Sequence, residues 1–225
     1  MSTTLRSLQQ DSVSGLQYSI RSNAPAKPAR CLVLLHGVGS NEANMLTLAD
    51  GVSDDTLVVT VRGPLVLGPG QFAWFRVAFT ANGPSIVPEE AEHSRLALIT
   101  LMQQLRAAHG MAADKTVVVG FSQGGIMSAS VGLSAPHAVA GFGLLCGRIL
   151  PELRPHIASK TQLSNLQAFV AHGELDSKLP VDWAHKSHAL LNEVGVAHAL
   201  HLYPVDHTIS APMHADFLRW LTSLP

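Results

Sequence analysis

Apolar positions along this chain form short continuous runs that alternate with stretches of helical spacing. The runs at residues 31–35, 56–61, 117–119 and 138–146 carry almost no polar interruption. Such runs read as strands covered on both faces, the mark of a parallel sheet. Residues 167–171 and 198–203 read as two further strands. Leu16, Tyr18 and Ile20 instead alternate with polar neighbours, which predicts an antiparallel edge strand over 16–20. A short helix is expected over 42–50, with Met45, Leu46, Leu48 and Ala49 on its buried side. The clearest helix spans 88–109: Ser85 precedes it, Pro88, Glu89 and Glu90 fill its first turn, and Gly110 follows its end. Its Leu98, Leu101, Met102 and Leu105 share one face. Helices are also expected after residue 122, over 181–194 before Gly195, and after a Ser210 cap with Pro212 in the first turn. Strand and helix alternate throughout, predicting an α/β fold with a doubly wound, mostly parallel sheet and helices on both faces.

Two stretches lack a clean period, 62–87 and 147–166. Each is too short to fold as an inserted cap, and no linker-like segment divides the chain, so one domain over 1–225 is expected. In the first stretch, Phe72, Trp74, Phe75 and Phe79 argue for order, either as a satellite core or as the wall of an apolar pocket.

Chemistry concentrates where runs end. The valines at 117–119 lead into Gly120-Phe121-Ser122-Gln123-Gly124, and helix formers follow. A G-x-S-x-G between strand and helix is the context of a nucleophile elbow, in which glycines two residues either side of the serine permit a strained turn and close packing. A serine hydroxyl needs a base to act at neutral pH. The strand at 167–171 runs into His172-Gly173-Glu174-Leu175-Asp176, and the next runs into Tyr203-Pro204-Val205-Asp206-His207. Ser122, Asp176 and His207 therefore follow one another in the order nucleophile, acid, base, each beyond the carboxyl end of a strand. Glu174 is expected to be a solvated surface acid, and Asp206 adjoins His207 too closely in sequence to orient it. Backbone donors for an oxyanion are expected from Gln123 and from Val38, in a loop that Gly37 and Gly39 make compact. His36 is expected to brace that loop.

Composition narrows the classes. Of 225 residues, 47% are hydrophobic and 14% charged, which suits a large core. A formal net charge of −1 with interspersed signs gives no footprint for nucleic acid or an anionic membrane. No apolar run is long enough for stable membrane insertion, and no apolar signal core opens the chain. Cys31 and Cys146 read as buried free thiols, in keeping with a reducing cytoplasm. Twelve histidines invite a metal reading, but His185 and His188 lie at i,i+3 on a solvated helix and His198 and His201 face opposite sides of a strand, so no metal site is expected.

Leu35-His36-Gly37-Val38-Gly39, Trp74-Phe75, Gly120-Phe121-Ser122-Gln123-Gly124-Gly125, His172-Gly173-x-x-Asp176 with Pro180, and Tyr203-Pro204-x-x-His207 together resemble the phospholipase/carboxylesterase family. The resemblance runs from about residue 31 onward and implies the α/β-hydrolase fold. It implies a cofactor-free serine esterase for small acyl esters or thioesters, with Ser122, Asp176 and His207 as its triad and Val38 and Gln123 as oxyanion donors. Trp74 matches a tryptophan beside the family's pocket; Phe75 and Leu179 join it as expected substrate contacts. Two departures, Arg76 where an acid commonly follows the W-F pair and Asp206 where a glycine commonly precedes the histidine, bear on substrate choice. Acyl transfer to another acceptor, a catalytically silent binding protein on this fold, and monomer against homodimer stay open at this level.

Overall fold

A computed structural model describes residues 4–80 and 83–224. In chain order, β1 (Gln9–Gln10), β2 (Gln17–Ile20), β3 (Arg30–Leu35) and β4 (Thr56–Arg62) come first. Two hairpins follow, β5 (Leu65–Gly68) with β6 (Gln71–Ala73) and β7 (Val77–Thr80) with β8 (Gly83–Ile86). Then come α1 (Pro88–His109), β9 (Thr116–Phe121), α2 (Gln123–Ser134), β10 (Gly141–Leu145), α3 (Lys160–Leu163), β11 (Gln167–Gly173), α4 (Asp182–Val194), β12 (Ala197–Tyr203) and α5 (Ala211–Ser223). Eight strands form one sheet in the order β1-β2-β4-β3-β9-β10-β11-β12. The β1/β2 and β2/β4 pairs are antiparallel; every pair from β4 to β12 is parallel.

The continuous apolar runs are buried on both faces because the strand alternates its side chains between two cores. Cys31, Val33 and Leu35 of β3, with Val118 of β9, enter the core beneath α1, α2 and α4. Leu32 and Leu34, with Val117 and Val119, enter the core shared with α5 and the 42–49 segment. The helix ends follow local chemistry. Gly110 and Gly195 close α1 and α4 in the left-handed region at φ 62 and 79, and the Ser210 hydroxyl caps α5 by accepting from the Met213 N–H.

Four expectations shift. The 16–20 strand is not the sheet's edge, because the two-residue polar strand β1, which carries no apolar signal, pairs outside it. The 42–50 helix winds as a 3-10 helix over Glu42–Ala49, capped by Asn41. Ser85 precedes α1 without contributing to its start: the N-cap is Val87, and no side chain caps the helix. The 62–87 stretch holds the two hairpins; in the first the period is hidden because Val66 and Leu67, two of the three apolar residues of β5, are exposed (73% and 49%). The Phe79 side chain and residues 81–82 lie outside the described residues. In the 147–166 stretch, a 3-10 turn at Pro151–His156 precedes α3, which Ser159 caps reciprocally with Gln162.

Candidate active site

Parallel pairing from β3 to β12 brings the loops after β3, β9, β10, β11 and β12 to one edge of the sheet. Ser122 stands between β9 and α2 at φ 55, ψ −117. A non-glycine residue held there costs about 1–3 kcal/mol and must be imposed by its surroundings. The imposing contacts are backbone on backbone. A Cβ on Gly120 would lie 2.1 Å from the Gly124 carbonyl carbon, and one on Gly124 would lie 2.1 Å from the Leu35 carbonyl oxygen. Strand, helix and the neighbouring β3 thus meet at distances that only glycine permits.

His207 Nε2 lies 2.9 Å from Ser122 Oγ, and His207 Nδ1 lies 2.6 Å from Asp176 Oδ2. Asp176 is buried, and its other oxygen accepts from the Lys178 and Leu179 N–H groups at 2.9 and 2.8 Å. His172, also buried, donates from Nε2 to the Leu179 carbonyl at 2.8 Å and stands 3.3 Å from Asp176 Oδ2. Burial holds the His172 imidazole below its ordinary pKa, so it is a neutral prop for the acid loop. Asp206 accepts from the Ser177 N–H at 2.7 Å, from the His207 backbone N–H at 2.7 Å, and from the Ser177 hydroxyl at 3.1 Å. Those donors, the Ser177 N–H foremost, hold its carboxyl below the usual range. Asp206 therefore ties the acid loop to the histidine loop, a link that sequence adjacency to His207 concealed. Glu174 is exposed.

Beyond β3, Gly37 packs against the elbow: a Cβ there would meet Ser122 Cβ at 3.3 Å. The Gly39 N–H donates to the Phe72 carbonyl and the Ser40 N–H to the Gly37 carbonyl. The Val38 N–H stands between these engaged groups, at the groove that Val38 lines with Ser122 and Gln123. Gln123 opens α2, where the first N–H groups have no intrahelical acceptor. His36 accepts the Gly63 N–H at Nε2 (2.9 Å) and donates from Nδ1 to the Gly37 carbonyl (2.7 Å), which fixes its tautomer. It is fully buried, and desolvation lowers its pKa.

Trp74 is not at the groove. It is fully buried, donates its indole N–H to the His36 carbonyl at 2.8 Å, and supports the loop from behind. The Gln123 side chain fixes this segment: its Oε1 accepts the Trp74 N–H at 2.8 Å and its Nε2 donates to the Phe75 carbonyl at 2.7 Å. Phe75 and Leu179 do line the groove, a cavity of about 630 Å³ that holds Ser122 and His207. Arg148 and Lys178, which no motif singled out, line it as well. Arg76 turns outward to Glu90 at 3.1 Å.

Cys146 Sγ, Asp176 and His207 offer three potential ligand atoms within 4.8 Å of one another. Burial pushes the Cys146 thiol up to about 12, so it is no thiolate at neutral pH, and the Asp176 and His207 atoms are engaged with each other. That donor set fits an acid–base pair over a buried thiol rather than a metal. His188 Nδ1 meets His198 Nε2 at 2.8 Å on the α4 side of β12, while His201 packs at a tilt against Phe169 on the other. Both cysteines are free and buried. Among the described residues, no helix is long and apolar enough to cross a membrane.

Known proteins resemble this chain in sequence and in fold. The chain is 25% identical over 231 residues to an acyl-protein thioesterase 1 of Debaryomyces hansenii, covering 93% of this chain and 97% of that one. To the protein of the same name from Eremothecium gossypii it is 24% identical over 216 residues, covering 90% and 91%. A carboxylesterase from Mesorhizobium loti superposes with a TM-score of 0.81 over 97% of this chain and 100% of that one, at 21% identity, a likeness of fold. The family model described as phospholipase/carboxylesterase matches residues 19–223. With this match over nearly the whole described sheet, the chain belongs to the phospholipase/carboxylesterase family of α/β-hydrolases.

Proposed function

We propose that this protein is a serine carboxylesterase, folded as one domain, that hydrolyses short-to-medium acyl esters and thioesters through an acyl-enzyme on Ser122. The observation that carries this reading is the hydrogen-bonded chain Ser122 Oγ–His207 Nε2 and His207 Nδ1–Asp176 Oδ2, at 2.9 and 2.6 Å, opening onto an apolar groove. With the Nδ1 proton donated to Asp176, Nε2 is left to accept the Ser122 hydroxyl proton. Ser122 Oγ attacks the acyl carbon as that proton moves to His207, and the buried Asp176 carboxylate stabilises the imidazolium. The Val38 and Gln123 N–H groups receive the developing oxyanion. His207 then gives its proton to the departing alcohol or thiol. Water, deprotonated by the same nitrogen, releases the acid and restores Ser122. Phe75 and Leu179 contact the acyl chain, and Trp74 acts behind them. Two free buried thiols suit a cytoplasmic setting.

A fluorophosphonate probe tests the nucleophile. It should label Ser122 alone, and Ser122→Ala should abolish labelling and turnover together. Labelling that persists in the variant would place the nucleophile elsewhere.

A further inference from the structure

Parallel pairing of β11 with β12 ends where Gly173 lies opposite Tyr203, yet the two loops stay joined beyond that point. The Glu174 N–H donates to the Tyr203 carbonyl at 2.7 Å, and the Leu175 N–H donates to the Val205 carbonyl at 3.1 Å. These main-chain bonds reach the residue before Asp176 and go no further. On the other side of Asp176, the Ser177 N–H takes a side-chain acceptor instead, Asp206 Oδ1 at 2.7 Å. The same oxygen accepts the His207 N–H at 2.7 Å, while Oδ2 accepts the Ser177 hydroxyl at 3.1 Å. One oxygen atom thus holds the peptide that joins Asp176 to Ser177 and the peptide that joins Asp206 to His207.

Asp176 Oδ1 is occupied by N–H groups of its own loop, those of Lys178 and Leu179. Such bonds orient the carboxylate within the loop but leave the distance from that loop to His207 open. Contacts between the loops must set it, and on the far side of Asp176 the carboxylate of Asp206 makes them. A carboxylate accepting from backbone N–H groups makes bonds of the stronger, charge-assisted kind. Asp206 itself is exposed, and the described residues that line the groove do not include it. We propose that Asp206 is a positioning residue for the reaction: its Oδ1 sets the separation of the acid and histidine loops, and so the 2.6 Å contact of Asp176 Oδ2 with His207 Nδ1, without touching the substrate. What the role needs is an acceptor oxygen at that place rather than a negative charge. This rests on the serine esterase reading above and assigns how its acid and base are held together.

The test measures kcat and KM separately on para-nitrophenyl butyrate, well below Tm, in three variants. Asp206→Ala removes the acceptor, and kcat should fall by about tenfold to about a hundredfold, the latter being the cost of a misplacement of about 1 Å. KM should stay within about twofold, because no contact with the ester is lost. Asp206→Asn loses the charge but keeps an oxygen for both N–H groups, with its amide facing a Ser177 hydroxyl that can accept; kcat should return to within about threefold of wild type. Asp206→Glu keeps the charge but carries its oxygens one methylene further, and kcat should fall with that of the alanine variant. Should the alanine variant not fold, the Asn and Glu variants alone decide. Wild-type kcat in Asp206→Ala, a loss confined to KM, or a Glu variant that matches wild type while the Asn variant fails overturns the proposal and leaves the esterase reading intact, since fluorophosphonate still labels Ser122. A wild-type protein that neither turns over any ester nor takes the label overturns both.

Discussion

Replacing Gln123 with alanine should destabilise the protein far more than its place beside the candidate nucleophile suggests. The backbone N–H, the expected oxyanion donor, survives the change. What is lost is the clamp on the aromatic segment, the bond from the Trp74 N–H at 2.8 Å and the bond to the Phe75 carbonyl at 2.7 Å. Trp74 and Phe75 are both buried, so water cannot replace the missing side chain without a cavity opening to admit it. Each buried backbone group left without a partner costs about 1–3 kcal/mol. The two together come to about 2–6 kcal/mol, a large share of a total stability of about 5–15 kcal/mol. For a domain of this size that lowers Tm by roughly 5–20 °C. Gln123→Glu separates the two bonds: a carboxylate accepts from Trp74 but confronts the Phe75 carbonyl with a second acceptor, whereas a protonated carboxyl can donate to it. Relative to wild type at the same pH, the Glu variant should gain stability as the solution is acidified. Urea unfolding followed by tryptophan fluorescence, together with kcat and KM well below Tm, measures both. A loss under about 1 kcal/mol in the alanine variant, with no pH-dependent recovery in the Glu variant, would refute the clamp.

Asp176→Asn should fold but lower kcat by about 10⁴, as in serine proteases, because the amide can still accept from Lys178 and Leu179 yet presents an N–H to the His207 Nδ1–H and favours the wrong tautomer; steady-state kinetics on a soluble ester decides, and a drop below about tenfold would point to another acid. Stability should fall as pH drops below about 6.5, because unfolded His36 and His172 take up protons there that the folded state, with both pKa values lowered by burial, refuses. Above that pH both are neutral in either state, and below it each contributes up to about 1.4 kcal/mol per pH unit until the folded value is passed; unfolding free energies that stay flat from about pH 8 to about pH 5 would contradict this. Among neutral esters kcat/KM should rise roughly fourfold per added methylene, from about 0.8 kcal/mol per buried carbon, then level off at short-to-medium chains, and activity seen only at a lipid–water interface would contradict an open groove.

The parallel sheet was legible because its strands are apolar on both faces, so that β3, β4, β9 and β10 stand out as uninterrupted runs. The meeting of Ser122, Asp176 and His207 was legible for a related reason, since residues placed just beyond the carboxyl ends of parallel strands share one edge. The hairpins β5/β6 and β7/β8 were not. Their apolar residues do not track burial, as Val66 and Leu67 lie open while Trp74, in the strap between the hairpins, is wholly enclosed. Trp74 was expected at the groove because an aromatic near a site suggests a wall; its indole N–H instead found the His36 carbonyl. The Gln123 clamp, the Asp206 tie and the placement of Arg148 are contacts between distant segments with no fixed spacing, and local pattern carries no trace of them.

The position of β12 sets a limit on where the competent site can exist. This strand closes one side of the sheet, pairs with β11 alone from Ala197 to Tyr203, and is only partly covered until Tyr203. His207 hangs just beyond it, whereas Ser122 is rooted in β9 near the middle. Structures open in pieces, and exposed margins open at a lower free energy than the interior. The Asp206–Ser177 tie and the close approach of Gly173 to the Val205 carbonyl join the acid loop to the histidine loop. An excursion of β12 with α5 would therefore withdraw the acid–base pair from Ser122 while the elbow, the clamp and most of the core persist. On the proposed reading, the population able to turn over substrate would be a subset of the folded one, set by the margin of the sheet rather than by the stability of the whole.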